Sequence, residues 1–212
     1  MLEIACFELT SAETALQSAA DRIEFCAELQ EGGTTPKIEE FLYLKSTYSK
    51  PIFVMIRPKG GVFHCTESEY DQMKRSILDF KNAGADGFVF GILEPNSQID
   101  IKKNAELITL AGGSQCTFHR AIDRTNDLFQ SVQTLIDLGF NTVLTSGGEN
   151  SAMEGKDNLK VLVENYSHKI NILIEEQKYR TKHELFISIL NSYSDILIFL
   201  SAFQLFLRIY VK

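Results

Sequence analysis

Short apolar segments alternate with longer amphipathic segments along most of this chain. The apolar segments are mostly continuous rather than alternating, which predicts strands of a parallel sheet that is buried on both faces. The predicted strands are Leu2–Phe7, Arg22–Cys26, Ile52–Arg57, Gly87–Phe90, Cys116–His119, Thr142–Thr145 and Ile170–Ile174.

The segments between these strands have the periodicity of amphipathic helices. It is clearest in Glu67–Ala83, where apolar residues recur every three to four positions, Thr66 precedes the first turn and Gly84 follows the last. In Ser11–Ala20 the first residue, Ser11, is the predicted N-cap. The other predicted helices are Ile38–Thr47, Ile101–Ala111, Asp127–Leu138 and a helix around Asn158–Asn165.

This uninterrupted strand–helix alternation predicts the fold class α/β, as a TIM-like (β/α) barrel. A doubly wound open sheet is the alternative. The chain has no Gly-x-Gly-x-x-Gly after its first strand and no Walker motif, and both absences lower that alternative.

Polar residues gather where the predicted strands end. The strand Ile52–Arg57 stops at Arg57-Pro58-Lys59-Gly60-Gly61, because proline and glycine turn the backbone into a loop. In α/β proteins the carboxyl edge of the strands is where ligands bind, so we expect a site at this edge. Comparable polar or glycine-rich segments after other strands are Glu31–Pro36, Glu94–Asn96, Ala121–Asp123 and Ser146–Gly148.

Composition narrows the classes of function. The chain has 212 residues, a net charge of −7 and a pI of about 5.2, which argues against a nucleic-acid or anionic-membrane surface. Its start, Met1–Ile4, lacks the basic and apolar regions of a secretory signal. The four cysteines form no Cys-x-x-Cys pair, so we expect free thiols and a cytoplasmic location.

Two of these cysteines suggest a metal site. Cys6 and Cys26 end neighbouring predicted strands, which in a sheet lie about 4.8 Å apart. Soft thiolates suit Cu(I), so the pair is a candidate metal site. The alternative is that both are small buried residues that fill a barrel layer, because free cysteine is among the most buried residue types.

Three charged or titratable residues predict a cavity at the carboxyl edge. His119 ends the fifth strand, where it serves as a metal ligand, as a general acid or base, or as a donor to a carboxylate such as Glu24. We expect Arg57, His119 and Glu24 to face this common cavity.

An anion site is the second expectation for this edge. Arg57 together with the backbone amides of the turn Ser146-Gly147-Gly148 would hold a carboxylate or phosphate. With Asp123 included, the same residues also suit a buried ion-pair network that stabilises the barrel mouth. These residues alone favour an enzyme that acts on a small anionic substrate, with His119, Glu24, Arg57 and Asp123 as the catalytic candidates.

Seven segments in order resemble the CutC family of copper homeostasis proteins. The resemblance covers about residues 1–174 and implies a TIM-like barrel, a cytosolic role in binding or trafficking Cu(I), and homodimers. It implies no established reaction. The matching segments are Leu2–Ile4 with Cys6, Ala20–Cys26, Glu31–Pro36, Pro51–Gly61, Gly84–Gly91, Thr117–Asp123 and Leu144–Gly148.

The resemblance stops after Ile174, so we divide the chain into a barrel body, 1–174, and a divergent tail, 175–212. Where the family has a glycine loop, this chain has Glu175–Arg180, which indicates either a frameshift or a divergent terminus. Without a regular eighth strand we expect an open barrel, and an inactive truncated copy of the family becomes a third interpretation. The apolar run Ile196–Val211 is shorter than the ~20 residues of a membrane span.

Overall fold

The computed structural model describes residues 2–175 together with the backbone of a final strand at 206–211. The strands are β1 (Leu2–Cys6), β2 (Arg22–Phe25), β3 (Ile52–Met55), β4 (Gly87–Phe90), β5 (Gln115–Phe118), β6 (Thr142–Thr145), β7 (Asn171–Glu175) and β8 (Phe206–Val211). The helices are α1 (Leu9–Gln17), α2 (Ile38–Thr47), α3 (Glu67–Asn82), α4 (Ile101–Ala111), α5 (Leu128–Leu138) and α6 (Lys156–Tyr166). Short 3-10 helices follow β2 at Leu29–Glu31 and β5 at Arg120–Arg124.

The eight strands form a closed barrel in sequence order. Strands β1 to β7 are parallel, as predicted, but β8 runs antiparallel to both neighbours. Leu207 pairs with Ile4 of β1, and Ile209 pairs with Ile174 of β7. The expected open edge is therefore wrong, because the backbone of β8 pairs with both neighbouring strands, whereas the expected irregularity at the C-terminus is confirmed by the reversed direction of β8.

Helix α3 forms where periodicity predicted it. Thr66 Oγ1 accepts a hydrogen bond from the Glu69 backbone N–H, and the Glu69 side chain accepts one from the Thr66 N–H. Helix α1 begins earlier than expected, at Leu9, because Ser11 Oγ accepts the Glu8 N–H from within the first turn. The buried residues of α3 are Tyr70, Met73, Ile77 and Phe80.

The two faces of the strands carry different side chains. On the outer face, residues such as Ile4, Ile23 and Phe88 form one large core with the helices. On the inner face, Phe53 belongs to a smaller cluster within the barrel. Near the amino ends of the strands lies a buried ion pair between Glu3 and Arg22, with 2.5 Å between Oε2 and Nε. Successive residues alternate between these faces, so the parity of a residue in its strand decides which environment it meets.

Candidate functional site

The two candidate copper ligands lie on opposite faces of the sheet. Cys6 pairs in register with Phe25, one residue before Cys26, so the two side chains point in opposite directions. Cys6 belongs to the outer core, and its Sγ lies 3.7 Å from the carbonyl oxygen of Ser11 in α1. Cys26 belongs to the cluster inside the barrel. The structure therefore does not bring the two sulfurs into one ligand set, and copper binding at either thiol stays a prediction.

Cys26 lies in a closed environment beside a carboxylate. Its Sγ donates a hydrogen bond to Glu24 Oε1 at 3.1 Å, and the two residues are 1% and 0% exposed. The same interior cluster contains Phe53, Met55 and Val89, with Phe7 packed against it. A thiol and a thioether thus share an apolar cluster at the carboxyl end of the barrel.

Arg57 contacts backbone carbonyl groups. Its Nη1 donates to the carbonyl oxygens of Glu31 at 2.8 Å and Gly33 at 2.9 Å, and its Nη2 donates to that of Gly61 at 3.0 Å. The residue is 8% exposed, and its Nε has no hydrogen-bond partner in the described part of the chain. Burial lowers the pKa of Arg57, while the charges of Glu31 and Cys26 act in the opposite direction. Three of the guanidinium's hydrogen bonds therefore go to neutral groups of the protein itself.

His119 and Arg57 line one pocket, whereas Glu24 is not among its lining residues. Phe63 lies between them, because its ring centroid is 5.1 Å from that of His119 and 5.0 Å from the Arg57 Cζ. The volume of this pocket is about 20 Å³, which is close to what one water molecule needs. The predicted cavity therefore exists for two of the three residues, and it is small.

The hydrogen bond at His119 limits its chemistry. Its Nδ1 accepts the backbone N–H of Ala121 at 3.3 Å. From this bond we assign the neutral imidazole a proton on Nε2. In this arrangement Nδ1 is not available as a base, and Nε2 acts as a donor.

The predicted anion site at the end of β6 is filled by the protein's own carboxylate. Asp123, in the 3-10 helix after β5, accepts hydrogen bonds from the Gly148 N–H at 2.9 Å and the Ser146 N–H at 3.1 Å. The Thr145 hydroxyl donates to it at 2.5 Å, and Arg120 pairs with it.

The donors expected to hold an external anion at Ser146, Gly147 and Gly148 bond within the protein in this structure, so an external anion there stays a prediction. The Gly147 N–H is also engaged, since it donates to the Thr145 hydroxyl at 2.9 Å. Successive glycines at positive φ shape these amides into a concave donor group that suits a carboxylate. Asp123 fills this group, so the alternative of a buried network at the barrel mouth describes this side better.

Comparison with known proteins identifies the family of this chain. A family model described as the CutC family matches residues 1–177. The chain belongs to the CutC family. The match ends close to where the resemblance in the sequence was expected to end.

Individual CutC proteins match over most of this chain. The human copper homeostasis protein cutC homolog is 40% identical over 173 residues, which are 82% of this chain and 63% of that protein. A CutC family protein of Porphyromonas gingivalis is 39% identical over 172 residues, 81% of this chain and 69% of its own length. The chain thus spans slightly less than two thirds of the length of the human protein.

Solved structures agree with this membership. A crystal structure assigned as the copper homeostasis protein CutC of Streptococcus agalactiae has a TM-score of 0.79 and 29% identity, covering 89% of this chain and 92% of that one. A dehydroquinate dehydratase and shikimate dehydrogenase of S. pombe, with a TM-score of 0.54 and 15% identity, shares the fold alone.

The described part of this CutC chain contains neither a metal-ligand cluster nor a membrane-spanning helix. Within residues 2–175, no group of three or more His, Cys, Asp or Glu side chains is arranged to hold a metal ion. In the described part of the chain, no helix is long and apolar enough to cross a membrane. Most of the apolar run Ile196–Val211 lies outside the described residues.

Three residues of the CutC barrel mouth were missed by the sequence reasoning. Met55 has no role in the sequence prediction beyond its place in a strand, although its parity with Arg57 places it on the inner face. Gly33 borders the Cys26 sulfur, and Phe63 separates Arg57 from His119. Strand parity was a usable signal for Met55, whereas the contacts of Gly33 and Phe63 depend on loop conformation.

Proposed function

We propose that this CutC chain takes part in copper homeostasis by binding Cu(I) inside the barrel mouth, through Cys26 with Met55 as the second soft ligand. The observation that carries the proposal is the buried cluster that holds the Cys26 thiol and the Met55 thioether together. Thiolate and thioether sulfur are the ligands that select Cu(I), and an apolar surrounding excludes competing water.

Glu24 and Arg57 supply the charge balance in this proposal. Copper binding requires the Cys26 thiol to lose its proton, and Glu24 Oε1 at 3.1 Å already accepts that hydrogen bond. The sulfur then bonds to copper while the proton passes to the carboxylate and on to solvent. The guanidinium of Arg57 favours the anionic form of Cys26 through its charge.

The proposed setting is the reducing cytoplasm, where Cu(I) and free thiols coexist. The four cysteines are free in the structure, and none lies in a Cys-x-x-Cys motif. A site with two soft ligands suits an ion that is passed on to other molecules, so trafficking belongs to the same proposal.

An enzyme that acts on a small anionic substrate is the second candidate function. It is favoured by the pocket that Arg57 and His119 share. The pocket has room for little more than a water molecule, and Arg57 donates to backbone carbonyls, so we rank copper binding first. The third interpretation, an inactive copy of the family, is tested by the nucleotide sequence around the codon of Glu175.

Competition for Cu(I) against a chromophoric chelator, in anaerobic buffer, tests the proposal. We expect Cys26→Ser to weaken affinity between about tenfold and a hundredfold, because a hydroxyl is a poor ligand for soft Cu(I). Cys6→Ser and Cys65→Ser are the matched controls, and both should keep wild-type affinity. Equal affinities in all four proteins would refute the Cys26 site.

A further inference from the structure

The loop after β2 covers the Cys26 thiol. We define the lid loop as residues 27–35; its base is closed by hydrogen bonds between Ala27 and Thr34, at 2.9 Å and 3.0 Å. Within it, Gly33 has a φ of +93°, and a Cβ added there would lie 3.5 Å from the Cys26 Sγ and 3.3 Å from the Phe7 ring. The lid loop therefore seals the sulfur, and no ion or reagent reaches it without a movement of the protein.

Polar contacts, rather than buried apolar side chains, hold the lid loop. Its fully buried residues are Gly33 and Thr34, and neither carries a large apolar side chain. Glu28, Gln30 and Glu31 are exposed. Segments with few buried apolar contacts open at a lower free-energy cost than the strands they connect. The lid loop is thus the part of the wall around Cys26 that opens most readily.

Arg57 is the residue that fastens the lid loop to the barrel. One guanidinium nitrogen donates to two lid carbonyls, those of Glu31 and Gly33, while the other nitrogen donates to Gly61 in the loop after β3. The Arg57 backbone adds two bonds with Thr35, at 2.8 Å to its hydroxyl and 2.9 Å from its N–H. The side chain of Arg57 therefore joins the lid loop to a second loop of the mouth.

We propose that the lid loop opens to admit the occupant of the Cys26 site and that Arg57 is the positioning residue that latches it closed. The occupant is Cu(I) only if the proposed function holds, whereas the latch itself does not depend on it. Arginine suits this role because its planar fork reaches several acceptors at once, which the single ammonium group of lysine does not reproduce. The latch also explains why Arg57 is not free to clamp an external anion.

Alkylation of the individual cysteines tests the latch without any copper. Wild type, Arg57→Lys and Arg57→Gln are treated with iodoacetamide under native conditions, and the rate at each cysteine is followed by mass spectrometry. In Arg57→Gln we expect the Cys26 rate to rise at least about tenfold, since the two hydrogen bonds to lid carbonyls and the one that ties the same side chain to Gly61 are lost. Arg57→Lys should be intermediate.

Cys6 and Cys116 are internal controls for global unfolding, because both are buried in the outer core rather than in the interior cluster that the lid loop covers. Burial raises the pKa of the Cys116 thiol to about 12, which keeps its native rate low. Arg57→Lys controls for the loss of the local positive charge, which favours the Cys26 thiolate, so that its loss alone would slow alkylation rather than speed it. An unchanged Cys26 rate, or a rise shared equally by Cys6, Cys26 and Cys116, would overturn the proposal.

Hydrogen exchange of the wild type provides a second test that needs no variant. The Thr34 N–H bonds to Ala27 in the lid loop, and the Cys26 N–H bonds to Cys6 in the sheet. We expect the Thr34 amide to exchange at least about tenfold faster, because the lid loop opens without the sheet. Equal protection of the two amides would contradict a movable lid.

Discussion

Two sides of the barrel mouth each hold an arginine, but they give it different partners. On the β5–β6 side, Arg120 pairs with the carboxylate of Asp123, which also receives N–H and hydroxyl donors from the end of β6. On the β2–β3 side, Arg57 donates to neutral carbonyls and lies near the Cys26 thiol. On the first side a carboxylate pairs directly with the arginine, whereas on the second the charge of Glu31 and, in the proposed copper site, that of the Cys26 thiolate would act on Arg57.

This difference suggests that one side of the barrel mouth stabilises the fold and that the other side has a different role. A carboxylate that accepts several hydrogen bonds holds its loops in place and leaves no room for a second anion. A buried guanidinium without an ion-paired carboxylate costs free energy unless another charge compensates it. The β5–β6 side is therefore built for stability, and the β2–β3 side is where the proposed function places ligand binding.

The largest expected effect is on the β5–β6 side. Asp123→Ala removes the acceptor for two backbone amides, a hydroxyl and Arg120, so we expect a loss of about 3–5 kcal/mol in the free energy of unfolding. Urea denaturation measures it. The matched control, Asp127→Ala, removes the exposed N-cap of α5 and should cost about 1 kcal/mol. Similar losses in both variants would mean that Asp123 is an ordinary cap.

A smaller effect is expected for a conservative change on the β2–β3 side. Met55→Leu keeps the volume but removes the thioether, so Cu(I) affinity should fall about tenfold while the unfolding free energy changes by less than about 1.5 kcal/mol. Met73→Leu, in the helical core, is the matched control because both methionines are 3% exposed. If Met55→Leu bound copper with wild-type affinity, Met55 would not be the second ligand.

The smallest effect concerns pH at the rim of the β2–β3 side. Lys59 and the Thr66 N–H lower the pKa of the Glu69 carboxyl to about 2. A depressed pKa stabilises the fold above the unfolded value of 4.5 and loses that contribution as the pH falls towards 2. Wild type should therefore exceed Glu69→Gln slightly in stability at pH 7, and the two should converge below about pH 2. A difference that is independent of pH would exclude the charge as its cause.

The sequence alone was sufficient for most elements of this fold. Continuous apolar strands, Thr66 at the start of a helix and the glycines after helices are local signals, so seven parallel strands and the helices between them were predicted. Strand β8 was not predicted, because the tail has no clear strand or helix periodicity. Its antiparallel direction depends on which edges are left for it to pair with, and that is a property of the whole barrel.

The candidate site was harder to predict, since it depends on register and on loops. Cys6 ends β1 and Cys26 directly follows β2, but a shift of one residue between the two strands puts them on opposite faces. Asp123 reaches the amides after β6 only because a 3-10 turn follows β5. Parity within one strand, by contrast, can be found in the sequence. Cys6 shares a face with the apolar Ile4, two residues earlier, whereas Cys26 shares a face with the charged Glu24.

The reversed direction of β8 has a practical consequence for engineering. Because β8 runs antiparallel to β1, its last residues return to the amino edge, where Ile209 pairs with Leu2 and Val211 pairs with Ile172. The first and last described strands therefore place Leu2 and Val211 at the same edge, opposite the mouth. A short peptide that joins these two positions is expected to permit circular permutation. If the protein were immobilised on a solid support through this edge, the barrel mouth would face the solution.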